Sequence, residues 1–341
     1  MTGTVLVTGG SGYIAGELID QLLGRGWTVH TTVRSKAKSE AALHARWPAA
    51  GDRLAVFEAD LMNDAGWADA NRGCSHVAHV ASPFPVGVPA DEDELIVPAR
   101  EGTLRALRFA RDAGASHFVQ TSSGAAIAYG HPKAKTDFDE SDWTIVDAPG
   151  VQPYIKSKTI AERAAREWVA QQGGGLAFCS VNPVAVLGPV YNDDLSASIE
   201  FVRRFLAGEI PAIPDIGISV VDVRDVASLH VLALEADPET IRNERFAASE
   251  RFMWMADIAA ILRERLGDQA RKVPRRRMPT PLLKLMAMFS RDIRQLSGEV
   301  GKIKRTSGEH AKQKLGWTTH SAEQTVVDTA ESLIARGIVT V

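Results

Sequence analysis

Val5-Leu6-Val7-Thr8-Gly9-Gly10-Ser11-Gly12-Tyr13-Ile14-Ala15-Gly16 is the stretch whose reading decides the fold. A short β-branched run ends on a cluster of glycines, and the cluster opens an amphipathic segment, Gly16 to Arg25. Strand, tight turn and helix in that order turn a glycine cluster into a phosphate-binding reading. Glycine permits positive φ and lets backbone N–H groups approach a pyrophosphate, while the helix N-terminus places about half a positive charge opposite it. The alternative is a glycine-rich turn that holds no ligand.

Outward from this stretch the hydrophobic period keeps switching. Apolar runs at Trp27 to Val33, Leu54 to Glu58, His76 to Val80, His117 to Thr121 and Ala177 to Asn182 are separated by helical spacing such as Glu101 to Ala113. With Val5 to Val7 they predict six strands joined by crossover helices, an α/β fold built on a Rossmann-type doubly wound parallel sheet. After Leu187 the turns Gly188-Pro189, Ile210-Pro211 and Ile213-Pro214 break the alternation, and a smaller mixed lobe begins. A strand-like Ile218 to Val221 and a helix-like Val223 to Glu235 interrupt that lobe. The expected division is residues 1–187, with 216–249 returning to them, as the nucleotide-binding domain, and 188–215 with 250–341 as the substrate lobe.

The 341 residues are enough for a large core without metal or disulfide support. Lys+Arg 39 against Asp+Glu 42 gives a net charge of −3, without the basic excess of a nucleic-acid or anionic-membrane binder. Cys74 and Cys179 lack the paired spacing of a zinc site or disulfide framework, so no metal is expected and the chain reads as reduced. Nowhere do eighteen apolar residues follow one another, and Met1 to Val5 carries no basic leader. The expectation is a soluble, cytoplasmic protein with neither nucleic-acid nor membrane partners, a monomer or homodimer. Arg275-Arg276-Arg277 reads as a solvated loop.

Rossmann sites that prefer NAD carry an acid at the end of the second strand to hold the adenosine ribose. Here that strand ends Val33-Arg34-Ser35-Lys36, with Lys38 following and the first acid at Glu40. Cations where a 2′-phosphate lies favour NADP(H); a solvated basic loop is the bland reading. Asp60 suits either the adenine amino group or a helix N-cap. Tyr154 and Lys158 stand four apart at the start of an expected helix, so phenol and ammonium share one face. A phenol titrates near 10, and a fixed cation beside it makes proton exchange feasible near neutral pH. Thr121-Ser122-Ser123-Gly124 ends the fifth strand at the carboxyl edge, where a hydroxyl can hold a carbonyl oxygen. The doublet leaves the register open between Ser122 and Ser123.

With these segments in view the chain resembles the extended short-chain dehydrogenase/reductases, within the NAD-dependent epimerase/dehydratase superfamily, on the dihydroflavonol reductase and cinnamoyl-CoA reductase-like branch. The resemblance rests on Val7 to Ile14, Val33-Arg34, Asp60-Leu61, His79 to Pro83, Thr121-Ser122-Ser123, Asp139 to Trp143, Tyr154 to Lys158, Asn182-Pro183, Leu187-Gly188-Pro189, Val221 to Ala227 and Leu315-Gly316-Trp317. It implies a cofactor site of Thr8, Gly9, Ser11, Gly12, Tyr13, Ile14, Arg34, Lys38, Asp60, Leu61, Val80, Ala81, Ser82, Tyr154, Lys158, Pro183 and Val184. Ser123, Tyr154 and Lys158 are the implied catalytic set. One departure stands out: the family's third glycine falls on Ala15, with a glycine displaced to Gly16, which suggests slightly wider helix–strand packing.

The function expected from these readings is NADPH-dependent, reversible reduction of an aldehyde or ketone, with hydride from the nicotinamide and the proton from Tyr154. The rivals are a nucleotide-sugar epimerase or 3β-hydroxysteroid dehydrogenase-like enzyme, against which the missing acid after the second strand counts, and a non-catalytic NADP-sensing regulator, which has no need of Ser123, Tyr154 and Lys158. An apolar substrate pocket is expected from Ala125, Ala126, Ile127 and Tyr129 together with Val190 and Tyr191.

Overall fold

In a computed structural model that describes residues 3–83, 89, 91–191, 195–286, 288 and 298–340, the glycine stretch is a strand, a turn and a helix. Strand β1 (Thr4–Thr8) leads through Gly9 to Gly12 into helix α1 (Tyr13–Gly24). Two of these glycines have steric reasons. Gly9 takes φ +74°, and a Cβ on Gly10 would lie 2.1 Å from the Thr31 hydroxyl.

The chain then alternates as its hydrophobic period dictates: β2 (Thr28–Val33), α2 (Lys36–Arg46), β3 (Leu54–Glu58), α3 (Trp67–Asn71), β4 (His76–His79), α4 (Asp93–Asp112), β5 (His117–Thr121), a two-residue β6 (Asp137–Phe138), α5 (Pro153–Gln172) and β7 (Ala177–Pro183). All six expected strands lie within one residue of their observed ends. The first reaches one residue further each way than Val5 to Val7. Helix α4 begins eight residues before the expected Glu101 and runs through Pro98, whose ring removes one backbone donor and hid the helical start.

Seven strands, one more than expected, form a fully parallel sheet in the order β3-β2-β1-β4-β5-β7-β10, the last being Glu244–Ala248. Strand order reverses between β1 and β4, the switch point at whose carboxyl edge ligands of such sheets bind. Helices α1 and α7 (Val223–Glu235) pack together on one face and α4 and α5 on the other. Two apolar clusters, around Leu18, Val29 and Phe246 and around Leu6, Phe118 and Phe178, fill the two faces.

A third cluster, around Phe205, Ile258, Leu262 and Leu333, lies under β8 (Ala185–Leu187), α6 (Ala197–Ala207), α9 (Met255–Leu266) and α12 (Ala322–Ala335). Between α7 and β10 runs the short α8 (Pro238–Ile241), and between α9 and α12 run α10 (Thr280–Met286), β12 (Arg305–Thr306) and α11 (Glu309–Leu315). The expected strand at Ile218 to Val221 is β9 (Gly217–Asp222), and it joins β8 and β11 (Arg251–Trp254) in a separate three-stranded sheet. No helix among the described residues is long and apolar enough to cross a membrane.

Candidate active site

At the carboxyl edge of β1 the Thr8 hydroxyl accepts hydrogen bonds from the backbone N–H groups of Val80 (3.0 Å) and Ala81 (2.9 Å). Its own proton is left for Nδ1 of His79 at 3.1 Å, which makes that nitrogen an acceptor and puts the ring proton on Nε2. Burial, reinforced by the Lys158 charge, pulls the His79 pKa down to about 3, so the ring is neutral. These bonds close β1 onto β4 and bring the Gly9 turn against Ala81, whose Cβ would be 3.1 Å from a Cβ on Gly9.

Gly12 caps α1 with no side-chain hydrogen bond, and no acid stands in the first turn, so the field of the helix N-terminus is not cancelled locally. Ser11 is exposed, and Tyr13 and Ile14 are half-buried at the helix start. The Tyr13 hydroxyl is fully enclosed, with no hydrogen-bond partner among the described residues. Ala15 is wholly buried against the sheet, whereas Gly16 faces Arg46 of α2, which lies 2.4 Å from where a Cβ would be.

Arg34, at the end of β2, is exposed, as is Lys38. Neither has an ion-pair partner among the described residues, whereas Lys36 pairs with Glu40 at 3.3 Å. Asp60 is no helix cap: it accepts from the Met62 N–H at 2.7 Å in its own turn, and the N-cap of α3 is Gly66. The Leu61 side chain packs against Gly102 of α4. Val80, Ala81 and Ser82 follow β4 half-buried along the same edge.

Pro153 at the first position of α5 sets the helix start, and Tyr154 and Lys158 occupy successive turns of it. Lys158 Nζ lies 5.8 Å from the centroid of the Tyr154 ring. Tyr154 and Ser123 share a side-chain hydrogen bond; burial raises the phenol pKa and the serine contact only partly lowers it. Tyr154 is therefore protonated at neutral pH. Lys158 is 9% exposed, its pKa brought to about 8 by burial, and its ammonium has no hydrogen bond or ion pair among the described residues. Pro183 and Val184 close the other side, with Val184 Cγ1 3.1 Å from where Gly124 would carry a Cβ.

The serine doublet divides cleanly. Ser123, two residues beyond β5, accepts from the Ala125 N–H at 3.1 Å while facing Tyr154. Ser122 points the other way and donates to Glu162 Oε2 at 2.5 Å. Glu162 is wholly buried and was not singled out from sequence, although it sits four residues beyond Lys158 on the same helical face. Its carboxylate also receives Ser180 Oγ (2.9 Å), Asn182 Nδ2 (2.7 Å) and Arg245 Nε (2.7 Å). Burial pushes its pKa up, and Arg245 and Arg166 more than offset this, so the carboxyl lies below its ordinary value.

The structure places the expected pocket residues in different surroundings. Ala126 and Ile127 are wholly buried and Ala125 nearly so, because the short 3₁₀ turn after Ser123 directs their methyl groups inward, where Ile127 packs against Phe138. Val190 is buried in the third cluster. Tyr191 lies against α1 and α2, its ring 6.4 Å from Tyr13 and 4.6 Å from the Arg46 guanidinium. Tyr129 interacts with Tyr154 and is half-buried, with Lys304 Nζ 3.6 Å over its ring.

Chemically, a protonated phenol between a hydroxyl and a buried cation can pass a proton to an oxygen placed against it. Residues 5–247 match the family model described as NAD dependent epimerase/dehydratase family. The chain is 35% identical to "Cinnamoyl-CoA reductase CAD2" of Medicago truncatula over 76% of its length and 80% of that protein's. It is 30% identical to a dihydroflavonol 4-reductase of Zea mays over 78% and 75% of the two chains. A crystal structure of Gre2 from Candida albicans in complex with NADPH superposes with a TM-score of 0.80 at 25% identity, covering 97% of this chain and 98% of that one. With the motif order, the strand order and these likenesses in agreement, the chain belongs to the NAD-dependent epimerase/dehydratase family of extended short-chain dehydrogenases/reductases, among its cinnamoyl-CoA reductase- and dihydroflavonol reductase-like members.

Proposed function

We propose that the protein is an NADPH-dependent reductase that turns a small aldehyde or ketone into the alcohol, reversibly, with Tyr154 as proton donor. The observation that carries this reading is the Lys158 ammonium, buried with no hydrogen bond or ion pair among the described residues, beside a phenol that is itself bonded to Ser123. A buried charge left unpaired is costly, and a site tolerates it where a ligand supplies the missing partners. The Gly9 turn at the switch point fits a pyrophosphate, and the unengaged Arg34 and Lys38 fit a 2′-phosphate. The names of the reductase relatives, and the NADPH of the Gre2 complex, support the same choice.

NADPH, when bound, supplies the hydride to the carbonyl carbon. In this reading Thr8, Gly9, Ser11, Gly12, Tyr13 and Ile14 form the pyrophosphate turn. Asp60 and Leu61 flank the adenine, and Val80, Ala81, Ser82, Pro183 and Val184 line the path to the nicotinamide. Ser123 orients the substrate oxygen, and Tyr154 delivers the proton, so that hydride and proton together make the alcohol. Lys158 holds the ribose and stabilises the phenolate left behind. Residues 188–215 and 250–341 are assigned as the substrate lobe. Tyr129, with Lys304 over it, gives the pocket a polar edge, so the substrate is an aliphatic or aromatic carbonyl compound that is not purely apolar.

The test is a panel of aldehydes, ketones and nucleotide sugars followed by NADPH absorbance, with NADH alongside. Carbonyl reduction faster with NADPH is the expected result. Turnover of nucleotide sugars in preference to simple carbonyls refutes the reading.

A further inference from the structure

We propose that Glu162 is a positioning residue: its buried carboxylate fixes the serine doublet so that Ser123 meets Tyr154 in register. This deepens the function proposed above and rests on it. Two bonds converge on the doublet. The Ser122 hydroxyl donates to Glu162 Oε2, and the Asn182 amide, which donates to the same oxygen, also donates to the Ser123 carbonyl at 3.2 Å. Both residues of the doublet are thus tied to one carboxylate, and that carboxylate rides on α5, the helix that carries Tyr154 two turns earlier. The relative placement of strand end and helix start is set through Glu162.

The arrangement is complete at every oxygen. Oε1 takes Ser180 and Arg245, Oε2 takes Ser122 and Asn182, and Arg166 stands 3.4 Å from Oε1. Arg245 in turn is anchored by the carbonyls of Glu140 and Asp142, both at 2.6 Å, and stacks 3.7 Å over the Trp143 ring. A carboxylate only accepts, so every donor around it is locked in one orientation, and the Ser122 proton is withdrawn from the substrate side. Ionic groups buried in a core are weak contributors to net stability, which leaves geometry as the stronger reason for this one.

Glu162→Gln keeps the shape and turns one acceptor into a donor that faces donors. The expected result is a fall of ten- to a hundredfold in kcat, with the Kd for NADPH, read by fluorescence, within twofold of the parent. A second readout does not depend on finding the natural substrate: the phenolate absorbance of Tyr154, isolated by subtracting the titration of Tyr154→Phe. Because the Ser123 bond lowers the Tyr154 pKa, misalignment in Glu162→Gln is expected to move that titration to higher pH, and Ser123→Ala is expected to do the same. Ser122→Ala, which removes a single bond, is the milder variant if Glu162→Gln does not fold; it is expected to lose three- to tenfold in kcat in the same direction.

A folded Glu162→Gln, or Ser122→Ala in its place, with parental kcat and an unmoved Tyr154 titration overturns the proposal. So does a loss that merely follows weakened NADPH binding. If Tyr154→Phe keeps its activity the reductase reading itself fails, whereas loss in Tyr154→Phe with none in Glu162→Gln removes the role of Glu162 alone.

Discussion

Replacing Lys158 by methionine is expected to make the protein more stable and less useful. The ammonium is buried without a hydrogen bond or ion pair among the described residues, and burial brings its pKa from 10.5 to about 8. At 1.36 kcal/mol per pH unit the gap corresponds to about 3 kcal/mol of destabilisation carried by the charged form. The sign follows from proton counts. Below about pH 8 Lys158 is charged in both folded and unfolded chains and the full penalty is present. Between there and 10.5 the folded chain binds fewer protons than the unfolded one, so stability rises with pH and the penalty is relieved.

Methionine matches the stem in volume and carries no charge. The cofactor-free Lys158→Met variant is expected to melt about 4 °C higher near pH 7, taking about 2.1 cal/mol/K of unfolding entropy per residue over the chain, and to converge on the parent as the pH approaches 10.5. Thermal unfolding monitored by circular dichroism at pH 6, 7 and 9 is the assay, with NADPH titrated in parallel, because the same variant is expected to lose cofactor affinity and turnover. A Lys158→Met protein no more stable than the parent at pH 7 refutes the account of an unpaired charge kept for a ligand.

Three further outcomes follow from the site. Tyr154→Phe removes only the transferable proton, so kcat should fall by about 10²–10⁴-fold while NADPH affinity stays within twofold; steady-state rates and fluorescence titration check both. Arg34→Ala should cost NADPH about 1–2 kcal/mol, the lower part of the range for a charge-assisted bond because the residue is exposed, and leave NADH unchanged; paired titrations at fixed ionic strength measure the ratio. Ser123→Ala should lose far more kcat than Ser122→Ala, since only Ser123 faces Tyr154; comparing the two variants on one substrate decides which serine touches the carbonyl.

What could be read from the chain in advance was whatever depends on neighbours in sequence. The glycine turn, the alternation that gives the sheet and the pairing of Tyr154 with Lys158 are all local patterns, with spacings of one to four residues that backbone geometry converts directly into a shared face. The serine register was not local. It is decided by Glu162, 40 residues further on, which takes the Ser122 proton. The seventh strand was missed for the same reason: it opens Glu244-Arg245, charges that speak against a buried strand until Arg245 is seen to answer Glu162 across 83 residues.

The alanines after Ser123 carry no periodicity that tells a pocket wall from a packed turn, and a 3₁₀ turn of three residues is too short to supply one. These features therefore share a cause, since each depends on a buried polar or packing partner contributed by a distant segment. Two of the charged groups within the core, Lys158 and Glu162, stand on one face of α5. Among the described residues the carboxylate is fully paired and the ammonium has neither hydrogen bond nor ion pair, and that contrast separates their roles: a paired carboxylate can fix geometry, whereas such an ammonium has donors still to give.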